Sequence, residues 1–413
     1  MTDREALHRA VLADPDDDTL RLVYADALEE EGDSRRAAFV RSQVELARRP
    51  DYDPACVRAR SCGWANPVAD WVLDLPELPE GLGWTREPFR RGFPAAVEAR
   101  DAAAFVAHAD DLFALFPIES LDLAVAQVAQ VRAFADCEWL ARLVRLSILE
   151  GMSGQAATRL LGSPHYERLR ELHVGAGLTT AATATAVVRS RVFKQLTTLS
   201  CRDDRAGGRT LVNELTRLAD PPRLKSLDLS GNRLTAEQLH PLLAAPALSA
   251  VEELNLGDNN LRAAGLDTLA AARLPNLRTL HLLRTQPQES AVHELARSDL
   301  FAGLRSLSLG ENNLPPSAAA SLAGGPGAAN LRVLDLRENR LGDAGAATLA
   351  ESPHLRNLLH LDLAANGVED AGAAALAESP YLGGLICLDL HGNVISPAAA
   401  ACLRQRYGDR VFL

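Results

Sequence analysis

The chain has 413 residues, 47% of them hydrophobic and 23% charged, which excludes disorder as its main state. Its 43 basic and 54 acidic side chains leave a net charge of −11, the wrong balance for a nucleic-acid-binding protein outside a local patch. No apolar run reaches the ~18–20 residues of a membrane helix, and Met1-Thr2-Asp3-Arg4-Glu5 lacks the basic-then-apolar order of a secretory leader.

The expectation is therefore a cytoplasmic monomer with no membrane and no nucleic-acid partner. At roughly 150 residues per domain the length allows two to three domains. Lys194 and Lys225 are the only lysines, and this skew to Arg, with abundant Ala, Gly and Pro, points to a GC-rich bacterial genome. Cysteines stand at 56, 62, 137, 201, 387 and 402 with no Cys-x-x-Cys pair, which reads as scattered thiols in a reducing compartment.

Residues 1–49 read as a three-helix module. Thr2-x-x-Glu5 is a capping box before a helix through Leu7, Val11 and Leu12. Thr19, after the acidic run Asp14 to Asp18, is expected to cap a second helix carrying Leu20, Val23, Tyr24, Ala27 and Leu28, ended by Gly32. Asp33 then caps a third helix with Phe39, Val40, Val44 and Leu46. Residues 50–92 read as a linker and the start of a cap, with a helix expected from Asn66-Pro67 holding Trp71 and loops at Pro76, Pro79, Gly81 and Gly83. Arg91 to Val97 reads as a leading strand, followed by a helix from Asp101 to Phe116 that buries Phe105, Leu112 and Phe113.

From there the chain repeats. Leu224 to Leu234 fits L-x-x-L-x-L-x-x-N-x-L around Asn232. The pattern recurs around Asn259, Asn312, Asn339, Asn366 and Asn393, with Thr285 standing where one Asn is expected. The landmark steps are 27, 26, 27, 27, 27 and 27 residues. Weaker copies precede Ala126, Gly151, Gly177 and Asp204. In each, the leucines of Leu-x-Leu point to one face of a strand, and the landmark Asn sits where the chain leaves it, its amide free to satisfy backbone groups that no ladder reaches. A turn and a helix of about ten residues follow, with Ala344, Ala347, Leu349 and Ala350 as a small inner face. Pro164, Pro353 and Pro380, each after Ser, stop the helices. A last helix, Ala398 to Tyr407, is followed by a turn at Gly408, and Val411-Phe412-Leu413 is expected to cover the open edge.

On these motifs residues 93–413 resemble the leucine-rich repeat family. The 26–28 period and tails such as Leu341-Gly-Asp-Ala-Gly-Ala-Ala-Thr-Leu349 are most similar to its ribonuclease-inhibitor-like subclass, which includes the Ran GTPase-activating protein. The resemblance implies an α/β fold, a leucine-rich repeat solenoid shaped as a horseshoe with a parallel sheet inside and helices outside, preceded by the small helical module. That module, through Asp14-Pro-Asp-Asp-Asp18, Arg21-Leu-Val-Tyr-Ala-Asp26, Leu28-Glu-Glu30 and Gly32-Asp33, resembles the "repeat-companion" module of bacterial repeat proteins.

The chemistry-bearing motifs do not complete. Asp14, Asp16 and Asp18 are spaced as in a calcium loop, but Thr19 and Ala25 stand where Gly and Glu are required. Cys56-x5-Cys62 has no companion pair at zinc spacing, and neither Gly207-Gly208 nor Gly324-Gly-Pro-Gly327 is followed by Lys-Ser/Thr. Gly151-Met-Ser153-Gly154 lacks the spacing of a nucleophile elbow. No cofactor or metal is expected.

The informative residues are those between the inner leucines. Asp122, Ser147, His173, Ser200, Asp228, Asn255, His281, Ser308, Asp335, Asp362 and Asp389 are expected to line the concave face, with Arg337 and His391 in the next column. A solvated polar sheet face is the plain reading. The functional reading is a partner-binding face, in which Asp335, Asp362 and Asp389 favour a protein partner with a basic patch. The expected function is a non-enzymatic interaction scaffold. Its alternative is a GTPase regulator by analogy with the Ran activator. A ubiquitin ligase fused to repeats is not expected, since the chain ends right after the last repeat.

Overall fold

The computed structural model describes residues 3–61, 74–150, 152–175, 180–202, 208–218 and 220–413. Thr2, Cys62, the expected helix at Asn66-Pro67 with Trp71, and the weak landmarks Gly151, Gly177 and Asp204 lie outside the described residues, as does Gly207. Two compact units are present, Met1–Pro50 with Pro67–Leu199 and Asp51–Asn66 with Ser200–Leu413.

The first unit opens with helices α1 (Asp3–Ala13), α2 (Asp18–Glu30) and α3 (Ser34–Leu46). Asp17, not Thr19, caps α2. Its carboxylate accepts the Thr19 N–H at 2.7 Å, because the helix begins two residues earlier than a cap at Thr19 requires. Asp33 caps α3 by accepting from the Arg36 N–H at 3.1 Å. Val11, Ala25, Leu28, Ala37, Val40 and Val44 close a core with Phe93, and Leu20 and Tyr24 pack at its margin. Val23, expected on that stripe, is 42% exposed; the inward positions of α2 include Arg21 instead.

The expected leading strand is interrupted at Ala95. Strands β2 (Phe89–Arg90) and β3 (Phe93–Pro94) form a hairpin, and β4 (Ala96–Asp101) follows. Gly92 turns the hairpin at φ 84°, and a Cβ there would lie 2.7 Å from the Val40 backbone, so only glycine lets the hairpin meet α3. β4 pairs antiparallel with β1 (Leu82–Trp84) and parallel with β5 (Ser120–Val125), which continues to β6 (Arg145–Ile148) and β7 (Glu171–Val174). The helix Ala102–Leu115 buries Phe105, Leu112 and Phe113 as expected.

The acidic run has a use that the sequence did not reveal. Asp18 pairs with Arg48 and Arg91, and Asp16 with Arg91 and Arg168. Arg21 is fully buried. Its Nη2 donates to Pro15 O at 2.9 Å and to Glu119 at 3.3 Å, and its Nη1 donates to the Arg90 and Arg91 carbonyls at 3.3 Å. Burial lowers its pKa to about 10, with Glu119 opposing, so it stays charged at neutral pH. These bonds fasten the helical module to β2, to the turn that follows it and to Glu119, the residue before β5.

Strand β8 (Thr198–Cys201) falls on the boundary between units. The second unit contains helix α4 (Pro54–Ser61) and strands β9 (Ser226–Asp228), β10 (Glu253–Asn255), β11 (Thr279–His281), β12 (Ser306–Ser308), β13 (Val333–Asp335), β14 (His360–Asp362), β15 (Cys387–Asp389) and β16 (Val411–Phe412). The strands run parallel in chain order, paired one repeat to the next. The inner leucines 227, 254, 280, 307, 334, 361 and 388 are wholly buried. Helices such as Gly342–Ala350 and Asp370–Glu378 cover the other side of these leucines. The small inner face of the first consists of Gly345, Ala346, Leu349 and Ala350; Leu349 and Ala350 stand there as expected, whereas Ala344 is exposed and Ala347 half-buried, because the first turn buries the adjacent pair 345 and 346 instead. The last helix runs Pro397–Tyr407, Gly408 turns at φ 61°, and Val411–Phe412 pairs with β15, covering the edge as expected.

Candidate partner-binding face

The strands are held in register by the landmark asparagines. Asn339 is 6% exposed, and its Nδ2 donates to Leu309 O at 3.0 Å, Leu336 O at 2.9 Å and Arg337 O at 3.2 Å. Its Oδ1 accepts from the N–H groups of Asn312 at 3.1 Å and Leu314 at 2.9 Å. One amide thus joins its own strand end to the previous repeat's turn. Asn259, Asn312, Asn366 and Asn393 do the same, each donating to a carbonyl 30 residues upstream. Thr285, in the Asn position, donates only to its own Leu282 O at 2.9 Å, and Asn312 serves its N–H.

Two further periodic devices escaped the sequence reading. The residue before each landmark is left-handed: Gly231, Asp258, Arg284, Glu311, Glu338, Ala365 and Gly392 all have φ between 51° and 74°. Only two are glycine, so composition gave no signal. On the helical side, Ser163, Ser352 and Ser379 donate to the carbonyls of Ala135, Ala323 and Ala350 at 2.5–2.6 Å. The Ser-Pro pairs at helix ends are therefore joints between repeats as well as stops.

This framework sets nine candidate residues on the open face of one sheet. Asp228, Asn255, His281, Ser308, Asp335, Asp362 and Asp389 stand in adjacent register from β9 to β15. Arg337 lies 3.5 Å from Asp335, and His391 Nδ1 lies 2.7 Å from Asp389. The column is not simply solvated. Asp228 and Ser308 are buried, Asp228 against Arg202 at 2.5 Å, and Ser308 Oγ donates to Asp335 at 2.7 Å. Asp228, Asn255, Asp335, Asp362 and Asp389 each accept the backbone N–H two residues on, at 2.9–3.1 Å, closing a turn at the strand end.

Three carboxylates side by side repel one another. Burial pushes Asp362, the middle one, up to about 6, with Asp335 and Asp389 adding to the rise and the Ala364 N–H and Arg337 opposing it. Glu253, on the same face, is held below its ordinary range by a hydrogen bond from His281 against the effect of burial. Among the described residues no group of three or more His, Cys, Asp or Glu is placed to hold a metal ion, and no helix is long and apolar enough to cross a membrane.

Helix α4 packs against β15. The sheet neighbours β14 and β16 flank β15, and the repeat helices cover its inner side, so α4 lies on the open face. Asp53 starts it by accepting from the Ala55 N–H at 2.9 Å. Val57 is 1% and Cys56 8% exposed, and Cys387, which faces opposite to the inward Leu388, is 3% exposed. No sequence signal placed residues 54–61 there.

Residues 249–270, 327–350 and 354–377 match one Leucine Rich repeat family, and residues 223–244 match a second. No curated protein sequence matches the chain. Among solved structures it is similar to an internalin (inlF) from Listeria monocytogenes, at 15% identity over 69% of this chain and 78% of that one, with TM-score 0.40. It is also similar to a chain of the Rad7 and Elc1 complex in yeast, at 16% identity over 91% of this chain and 92% of that one, with TM-score 0.43. The landmark ladder, the parallel strands and the family matches together establish that this chain carries leucine-rich repeats, folded as an α/β solenoid behind an N-terminal group of helices.

Proposed function

We propose that the protein is a non-enzymatic interaction scaffold whose open sheet face binds a protein partner bearing a basic patch. The observation that carries the proposal is the row Asp335, Asp362 and Asp389, held side by side on β13, β14 and β15. Each side chain is fixed by its own turn, so the row is presented without a further ordering cost. The ribonuclease-inhibitor-like subclass, the repeat-companion identity of α1 to α3, a bacterial source and a cytoplasmic location belong to the same proposal, on the motifs given above.

The test is association kinetics with a partner obtained by affinity capture from the native organism. Triple substitution of Asp335, Asp362 and Asp389 by Asn keeps an oxygen for each turn bond and removes three charges. The association rate should fall about tenfold at low salt and converge with the parent at high salt, because surface charges act mainly on encounter. An unchanged association rate with unchanged salt dependence refutes the open-face reading.

A further inference from the structure

We infer that the acidic end of the open face is a docking surface for a short basic helix with a small apolar side, and that α4 of the same chain is its resident occupant. The choice of an external basic partner rests on the function proposed above; the residency of α4 rests on its own observations. α4 lies against β15, the strand that ends the aspartate row. Its sequence from Pro54 to Ser61 carries Arg58 and Arg60 and no acidic residue, so its charge is opposite to that of the row. Arg58 is exposed, while Val57 and Cys56 are buried and Cys387 on β15 is covered. The helix thus joins a small apolar footprint against β15 to a sequence that is basic and without acidic residues, beside the strand that carries Asp389.

The contact is built to be displaced. An eight-residue helix is not stable alone in water and depends on what it packs against. Two buried side chains on α4 make a small anchor. What keeps it seated is the tether, which holds such a segment at an effective concentration in the millimolar range. An external helix of the same chemistry with a larger apolar face would displace α4, so the scaffold's affinity for a partner is set against its own segment.

The experiment reads thiol accessibility in the full chain without any partner. N-ethylmaleimide labelling is followed by site-resolved mass spectrometry. Exposed Cys402 reports reagent activity, and fully buried Cys201 reports the integrity of the array. In the parent Cys387 should label slowly. Val57→Asp should raise its rate about tenfold or more with Cys201 still protected, since the barrier is local opening. Should Cys201 also open in that variant, Arg58→Glu decides; it disturbs no buried side chain and should raise Cys387 labelling severalfold.

On the cleared surface of Val57→Asp, or of Arg58→Glu where that variant decides, a helical alanine–arginine peptide at millimolar concentration should restore protection of Cys387. An alanine–glutamate peptide of equal length should not. Cys387 labelling unchanged in both variants overturns the residency of α4 and leaves the kinetic test of the proposed function untouched. Equal protection by both peptides, or by neither, overturns the docking surface.

Discussion

Replacing Asp362 by Asn should stabilise the protein at neutral pH, against the usual cost of altering a partly buried polar residue. The carboxyl sits between Asp335 and Asp389 and titrates at about 6 rather than 3.8. A displacement of that size corresponds to about 3 kcal/mol if taken whole, but the group keeps contact with solvent, which reduces the expectation to about 1–2 kcal/mol. The folded state holds this proton more tightly than the unfolded chain. The favourable contribution is therefore present below about pH 4 and lost as pH rises through about 6. Asn cannot ionise, yet its oxygen still accepts the Ala364 N–H, a bond of 2.9 Å in the parent. Denaturant midpoints of parent and Asp362→Asn should be measured from pH 4.5 to 7.5. The variant's advantage should grow across that range and level off above pH 7. A constant difference at every pH, or a variant less stable at pH 7.5, would refute the argument that desolvation and the flanking carboxylates set this group.

Other expectations follow from the packing. Asn339→Leu leaves the carbonyls of Leu309 and Leu336 and the N–H groups of Asn312 and Leu314 without their amide, and should cost about 2–4 kcal/mol in urea unfolding; a midpoint equal to the parent's would sink the ladder interpretation. Ala365→Gly relieves a left-handed alanine at φ 52° and should raise the unfolding free energy by about 0.5–1 kcal/mol, while Gly231→Ala, at φ 74°, should lower it comparably. Movement of both in the same direction contradicts the conformational explanation. Arg21→Met fills the space of a fully buried guanidinium but strips Pro15, Arg90 and Arg91 of a donor, and should destabilise the first unit by about 2–4 kcal/mol in thermal melts. Association with a basic partner should slow between pH 7.5 and 5.5 as Asp362 takes up its proton, and the Asp362→Asn variant should lose that dependence.

The sequence by itself determined the side chains that recur in one register on the strands. A side chain that recurs every 27 residues on parallel strands must stand beside its own copies, so the inner leucines, the landmark asparagines and the adjacency of Asp335, Asp362 and Asp389 could be read before any coordinate. Devices that repeat in geometry but not in residue type were invisible. The left-handed position before each landmark is occupied by Gly, Asp, Arg, Glu and Ala, because the surrounding ladder holds the backbone there whatever the side chain. Contacts made once, between segments with no common period, belonged to the tertiary structure alone. Arg21 meets Glu119 98 residues away, and α4 meets β15 across most of the chain. The ionisation of Asp362 has the same origin: spacing supplied its two like-charged neighbours, but burial, the larger cause, exists only once the chain has folded.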